Sequence, residues 1–216
     1  MLSDRTATMD IFPLVAAERL RLADALEALP PDAWESPSLC AGWSVHVVAA
    51  HLNTPWESSI PIVLFEVARA RSIAGGFDRL ARKLAVSLEP AACVAGLRAN
   101  ANSRFTPPGL GAEAPLTDVI VHGADMLQPL GRSVAVDPVA MATTLEFLSG
   151  GRANGFVPKD RVDGLAFEAS DLVVRSGPGP SVVRGPIMAL CATLCGRRAY
   201  LDQLSGEGAS LLASRL

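Results

Sequence analysis

Two histidines and an aspartate have the residue types and the spacing of a metal site. His51 lies in an apolar stretch, and His122 lies in a second one with Asp118 four residues before it. Residues four apart on an α-helix project from the same face, about one turn apart. Imidazole and carboxylate together suit Zn²⁺ or another first-row divalent ion, and three protein ligands leave a position open for water or substrate. We therefore predict a metal site of His51, Asp118 and His122, formed where two helices face each other.

The same residues also fit a purely structural interpretation. A histidine in an apolar helix is commonly a hydrogen-bonded core residue, and the sequence has neither an H-E-x-x-H nor a paired C-x-x-C motif. Spacing alone does not separate a metal site from a trio that hydrogen-bonds in the core. Asp125, three residues after His122, is either a partner that orients the His122 ring, a fourth ligand, or an exposed charge near a helix end. His46 points about 140° away from His51 around a helix, so we expect it near the surface and outside the site.

Composition limits the classes of function. Of 216 residues, 50% are hydrophobic and 19% are charged, which predicts a sizeable core and little disorder. A net charge of −3 gives no basic excess for binding nucleic acid. No apolar run approaches the roughly 20 residues that span a bilayer, and the first residues lack the pattern of a secretory signal, so we expect no membrane association and a cytoplasmic location. The four cysteines do not form a disulfide pattern and are predicted to be reduced thiols.

Hydrophobic periodicity predicts a mainly helical chain. Ser44 is the expected N-cap of the helix that carries His51, and Pro55 should end or kink that helix near residues 53–54. Gly75 and Gly76 are predicted to form a turn. The other predicted helices are 12–29, 56–72, 77–88, 90–102, 115–127, 138–147, 187–195 and 196–204, with a last short helix near the end.

The pattern of residues changes after residue 155. Residues 165–169, 172–175 and 181–184 alternate or are rich in β-branched residues, which predicts strands. We therefore predict two domains, an all-α bundle over 1–155 and a small α+β domain over 156–216. The sequence shows no G-x-S-x-G elbow, Walker loop or dinucleotide fingerprint. A cysteine–histidine pair for nucleophilic catalysis stays open, although no local signature indicates it.

Several segments together have the pattern of a known family. They are Pro37–Val45, Ala50–Leu52, Asp118–Asp125, Pro129–Gly131, Val183–Leu190 and Gly196–Gly208. The chain closely resembles, over nearly its whole length, the mycothiol-dependent maleylpyruvate isomerase-like proteins. Its first half is similar to the wider group of DinB-like metal-binding four-helix bundles, and its end is similar to that family's small C-terminal domain.

The resemblance implies cofactors and site residues. It implies a divalent metal, usually zinc, held at the positions of His51, Asp118 and His122, and it implies a catalytic role for Arg197. The isomerase pattern has glutamate where this chain has Asp118, which is one methylene shorter. The resemblance also implies mycothiol as the low-molecular-weight thiol and a small-molecule substrate, in a protein that is a monomer or a homodimer.

The implied chemistry is physically consistent with such a site. A thiol entering the open position of Zn²⁺ would be held as the reactive thiolate. It would add to an activated double bond, rotation about the resulting single bond would follow, and elimination would give the trans isomer. Arg197 could bind a substrate carboxylate bidentately. The same groups could transfer the thiol to another electrophile, and the alternative is a non-catalytic metal-binding bundle that serves ligand binding or stability.

Overall fold

The computed structural model describes residues 9–133 and 135–216 and is mainly helical, as predicted. Helices span Phe12–Glu27 (α1), Val45–Leu52 (α2), Thr54–Glu57 (α3), Ile60–Ala70 (α4), Ile73–Ser87 (α5), Pro90–Ala99 (α6), Glu113–Leu127 (α7), Pro138–Ser149 (α8), Lys159–Val162 (α9), Ile187–Leu194 (α10) and Ala209–Ser214 (α11). Short 3-10 helices span Pro31–Glu35, Gln128–Leu130 and Arg198–Gln203, and strands span Leu165–Ala169 (β1), Arg175–Ser176 (β2) and Ser181–Gly185 (β3).

Helices α1, α2, α6 and α7 pack around a common core, and α5 lies along α2. The core is formed by apolar side chains that repeat at helical spacing on each of these helices, including Leu22, Leu26, Val48, Leu97 and Leu116. Burial of such side chains is the main favourable term in the folding of a bundle. The bundle thereby sets α2 and α7 side by side, which is the arrangement that the metal-site prediction requires.

Helix α2 begins and ends where its sequence predicts. The Ser44 side chain accepts a hydrogen bond from the backbone N–H of Val47 and caps the first turn. After Leu52 the chain breaks at Asn53, whose side-chain amide donates to the carbonyls of Ala49 and Cys93. These hydrogen bonds fix the end of α2, so that His51 is held in its last turn.

The predicted turn at Gly75 and Gly76 is wrong, because both glycines lie inside α5. The turn lies at Arg71, which has a φ of 56°, and the Ser72 side chain caps the new helix. A Cβ atom added to Gly76 would lie 2.6 Å from Cα of Val67. Gly76 is therefore needed for the close approach of α4 and α5. The turn prediction is wrong because glycine also occurs where two helices pack closely, and the sequence does not separate the two roles.

The C-terminal part contains a three-stranded sheet with the order β2-β1-β3. Strand β3 pairs with β1 in parallel, and β2 pairs with β1 antiparallel. Strand β2 is shorter than the predicted 172–175 and begins later, and the helix predicted for 196–204 is a 3-10 helix preceded by Gly196 with a φ of 93°.

Helix α10 joins this C-terminal part to the bundle. It packs against α7 and α8, and its buried residues Ile187, Leu190, Cys191 and Leu194 belong to the same core cluster as those of α1 and α2. The domain boundary at 155/156 stays a prediction. In the described parts of the chain, no helix is long and apolar enough to cross a membrane.

Candidate metal centre

The three predicted ligands meet between α2 and α7. Nε2 of His122 lies 3.5 Å from Oδ1 of Asp118, and Nε2 of His51 lies 4.0 Å from the same oxygen. One ligand atom from each of the three residues lies within 4.8 Å of the others. Zinc ligands at about 2.0–2.2 Å from the ion lie roughly 3–3.5 Å from one another. A small inward movement of His51 and Asp118 would therefore give the geometry of a metal site.

Exposure is uneven across the three side chains. The Asp118 side chain is 33% exposed, whereas the side chains of His51 and His122 are 14% and 13% exposed. The site is therefore accessible on the Asp118 side and enclosed behind the histidines. A fourth ligand would have to approach from the Asp118 side.

His51 makes no hydrogen bond to any residue that the structure describes. Its Nδ1 is buried without a partner among the described residues, and its Nε2 is too far from Asp118 for a hydrogen bond. Burial lowers the pKa of His51 to about 4, although the charge of Asp118 acts in the opposite direction. The imidazole is therefore neutral at pH 7 and has a lone pair available. A buried imidazole without a hydrogen-bond partner lowers the stability of the folded protein unless it binds an ion or a ligand. The surroundings of His51 therefore fit those of a metal ligand.

His122 is oriented from behind by Asp125. Nδ1 of His122 lies 2.9 Å from Oδ2 of Asp125, so the ring directs Nε2 toward Asp118 and His51. Burial lowers the pKa of His122, but the hydrogen bonds to Asp125 and Cys40 and the charge of Asp118 outweigh it and raise the pKa to about 10. A carboxylate behind a histidine is a common way to orient a metal ligand.

Asp125 is fully buried, so it is not the exposed helix-end charge that the sequence left open. Nε of Arg197 donates to one of its oxygens at 2.9 Å, and Nη2 donates to the other at 2.5 Å. Burial would raise the pKa of Asp125, but the hydrogen bonds from His122 and Arg197 hold it well below its usual range. The bidentate edge of Arg197, which could bind a substrate carboxylate, is thus directed at Asp125 in this structure.

Cys40 lies beside this pair and was not among the predicted site residues. Its Sγ lies 3.1 Å from Oδ2 of Asp125, 3.6 Å from Nδ1 of His122 and 3.4 Å from Nη2 of Arg197. Cys40, His122 and Asp125 form a second group of potential ligands. Both oxygens of Asp125 are already hydrogen-bonded, and a guanidinium is adjacent, so a metal ion is disfavoured there. The position of Cys40 in the segment Pro37–Val45 was the one signal that could have identified it.

Aromatic rings close the other sides of the site. The ring centre of Trp43 lies 5.2 Å from that of His51 and 6.4 Å from that of His122, and the ring centre of Phe77 lies 5.7 Å from that of His51, with the two rings perpendicular. Trp43 is fixed by a hydrogen bond from Nε1 to Asp78. His46 lies outside the site, as predicted, but its side chain is only 12% exposed and its Nε2 lies 2.7 Å from the carbonyl of Leu88.

A cavity of about 300 Å³ lies on the other side of α7. It is lined by Leu22, Gly123, Leu127, Met188 and Tyr200, among others, and by none of the three predicted ligands. The cavity and the candidate metal centre therefore use opposite faces of the same helix.

The fold and the geometry define a helical bundle with two histidines and one carboxylate facing each other across α2 and α7. Residues 15–106 match the family model described as the mycothiol maleylpyruvate isomerase N-terminal domain. This N-terminal part of the chain is therefore similar to the N-terminal domain of the mycothiol-dependent maleylpyruvate isomerases. The family match includes His51 and ends before α7, so it does not reach Asp118, His122 or Arg197.

Two solved structures are similar to the chain. One is described as the crystal structure of the mycothiol-dependent maleylpyruvate isomerase, with 15% identity, a TM-score of 0.56 and 92% of each chain covered. The other, a histidine-to-alanine mutant described under the same enzyme name, has 18% identity, a TM-score of 0.49 and the same coverage. The first likeness shows that the helical bundle and the small C-terminal α+β part have the fold of that enzyme. No curated protein sequence matches the chain.

Proposed function

We propose that this chain is a metal-dependent enzyme that uses mycothiol to isomerise a small electrophilic substrate, as a maleylpyruvate isomerase does, or to transfer the thiol to it. The observation that carries the proposal is the buried, neutral His51, which has no hydrogen-bond partner among the described residues and faces Asp118 and His122. The similarity of residues 15–106 to the mycothiol maleylpyruvate isomerase N-terminal domain supports the thiol and the reaction class.

Each residue of the proposed site would have its own role. His51, Asp118 and His122 would hold a divalent ion, for which zinc is the first candidate because two imidazoles and one carboxylate are a donor set that zinc uses in catalytic sites. Asp125 would keep Nε2 of His122 directed at the ion, and Arg197 would keep Asp125 ionised and in place. Arg197 is in this view a positioning residue, and its predicted contact with substrate stays a prediction.

The surroundings suit chemistry on a sulfur atom. A bound divalent ion would supply a positive charge that holds a thiol in its reactive thiolate form near neutral pH. Trp43 and Phe77 shield the histidines from water, which strengthens electrostatic interactions inside the site. The accessible side, at Asp118, is the side from which thiol and substrate would approach.

A non-catalytic metal-binding bundle is the second candidate function. This second function is favoured by the contacts of Arg197, because its N–H groups already donate to Asp125, to the carbonyl of Cys195 and to Cys40. An arginine engaged in this way leaves the site with few groups for acid–base work. Such a protein would keep the metal and show no turnover.

Metal content and thiol-dependent turnover test the proposal together. The wild-type protein, loaded with zinc and dialysed, should retain about one ion per chain and should convert maleylpyruvate only when mycothiol is present. His51→Ala and His122→Ala should lose both properties, whereas His46→Ala is the matched control because His46 lies outside the site. Metal retention with no thiol-dependent turnover of maleylpyruvate or another small electrophile would favour the non-catalytic function. Wild-type protein that retains no more zinc than the two variants would overturn the metal site.

A further inference from the structure

Helix α4 exposes its apolar side chains. Ile60 is 64% exposed, Leu64 is 63% exposed and Phe65 is 59% exposed. Ile60 and Leu64 are one turn apart and form a row along the outer face of α4, and Phe65 lies about 100° further around the helix on the same exposed side. A helix at a protein surface normally turns its apolar side toward the core. Helix α4 does the opposite.

A buried glutamate fixes α4 in this orientation. Glu66 lies on the inner face of α4, is 1% exposed, and pairs with Arg79 and Lys83 of α5. Rotating α4 to bury its apolar row would break both ion pairs and bring Glu66 to the surface. The close packing of Val67 against Gly76 resists the same rotation. The outward direction of the apolar row is therefore built into the contact between α4 and α5.

The exposed row is large enough for an interface. We name as the α4 face the side chains of Ile60, Ile62, Leu64, Phe65 and Ile73, which are 50–64% exposed. At about 150–200 Å² for a fully exposed large apolar side chain, these five present on the order of 500 Å². Two such faces in contact would bury about 1,000 Å², the lower limit for a specific interface.

Charges at the two ends of the α4 face indicate what covers it. Glu57 lies before the first turn of α4, and Arg69 and Arg71 lie at its C-terminal end. All three residues are exposed, and none of them forms an ion pair with a residue that the structure describes. In an antiparallel pair of α4 helices, the acidic end of one helix would lie beside the basic end of the other. A parallel pair would place arginine beside arginine.

We propose that the α4 face is a homodimer interface in which α4 of two copies packs antiparallel about a two-fold axis. A second copy supplies an apolar face of equal size and the complementary charge at each end. The modest buried area predicts a dimer that dissociates on dilution. Ile73 lies one turn before Phe77 on α5, so the interface would lie next to the aromatic wall of the metal centre.

Sedimentation velocity over a range of protein concentrations tests this interface. The wild-type protein should show a monomer–dimer equilibrium. Leu64→Glu, at a position that is 63% exposed, should leave the monomer folded and weaken the dimer by at least about 100-fold, because two carboxylates would be placed in an apolar interface. Val173→Glu is the matched control, since Val173 is fully exposed in the loop before β2 and its substitution should leave the dimer unchanged.

A charge swap tests the antiparallel geometry. Glu57→Arg and Arg69→Glu should each weaken the dimer by about 3- to 10-fold, and the double variant should recover the wild-type association. Far-UV circular dichroism of each variant would verify the fold. A wild-type protein that is monomeric at every concentration, a Leu64→Glu variant that still dimerises, or a double variant weaker than both single variants would overturn the proposal. Monomeric wild-type protein that binds anionic phospholipid vesicles through Leu64 would overturn it in favour of a membrane-docking face.

Discussion

Two buried carboxylates, Asp125 and Glu66, have similar surroundings but position different parts of the protein. Each is almost fully buried, and each pairs with two basic side chains. The partners of Asp125 are themselves enclosed, with the His122 side chain 13% exposed and that of Arg197 17% exposed. The partners of Glu66 are 37% and 59% exposed.

The difference shows what makes a buried ion pair functional. Arginine and lysine use their donors on Glu66 and have no acceptor atom to present elsewhere, so the pairing holds α4 on α5 and does no more. Histidine has a second ring nitrogen, and Asp125 fixes the direction in which that nitrogen points. The buried carboxylate of Glu66 therefore holds two helices together, whereas that of Asp125 also orients the ring of His122.

The largest effect is expected at His122, one of the three proposed ligands. His122→Ala should reduce bound zinc to the background level, because the protein loses one of three ligands. It should reduce any thiol-dependent activity by more than about a thousandfold, because the positive charge of the ion is lost with it. Metal analysis by mass spectrometry after dialysis measures the first effect. Glu66→Gln, at the other buried carboxylate, should keep the full metal content. Equal zinc in His122→Ala and wild type would contradict the assignment of His122 as a ligand.

Removing the orienting carboxylate should have the next largest effect. Asp125→Asn should weaken zinc binding by about 10- to 100-fold, since His122 loses the partner that directs its ring. It should also destabilise the protein by about 3–5 kcal/mol, because Arg197 would be left as a buried charge without an anion. Zinc titration and urea unfolding measure the two effects separately. For Glu66→Gln we expect a smaller loss of stability and an unchanged zinc affinity. A loss of zinc affinity in Glu66→Gln would show that the two carboxylates do not differ in their effect on the metal site.

The pH dependence of the metal-free protein should report on His51. Its pKa is lowered from 6.5 to about 4 in the folded protein. Between these values the unfolded chain binds a proton that the folded chain does not, so stability should fall as the pH decreases from 6.5 toward 4. Urea unfolding in the presence of a chelator measures this slope, and His51→Ala should flatten it. The same slope in both proteins would show that His51 is not neutral and buried as described.

The smallest effect is expected at Asp118. The distance from its Oδ1 to Nε2 of His51 is 4.0 Å, the longer of the two distances to a histidine. Asp118→Glu adds one methylene, which should allow a closer approach and strengthen zinc binding by several-fold. Competition with a chromophoric chelator measures it. A large loss of affinity would mean that the backbone already places the shorter carboxylate at the correct distance.

The sequence predicted those parts of the fold and site that depend on local chemistry. Ser44 and Pro55 give signals for the ends of α2 that do not depend on the rest of the chain, and the spacing of Asp118 and His122 fixes their relative position on any helix. The fold class, a helical bundle followed by a small α+β part, followed from such signals and is confirmed.

What the sequence could not predict depends on contacts between distant segments. Gly76 was read as a turn because its role, the close approach of α4 to α5, is visible only in three dimensions. Phe77 comes from another helix, and nothing in its local sequence indicates a position beside the histidines. Cys40 comes from a loop, and only its place in the segment Pro37–Val45 could have indicated it. The pairing of Arg197 with Asp125 joins residues 72 positions apart.

Anomalous diffraction at the zinc absorption edge, from crystals of the zinc-loaded protein, would show directly whether His51, Asp118 and His122 hold the ion. We expect one strong peak between α2 and α7, at about 2.0–2.2 Å from Nε2 of His51, Nε2 of His122 and a carboxylate oxygen of Asp118. A peak beside Sγ of Cys40, or no peak near any of these three residues, would contradict it.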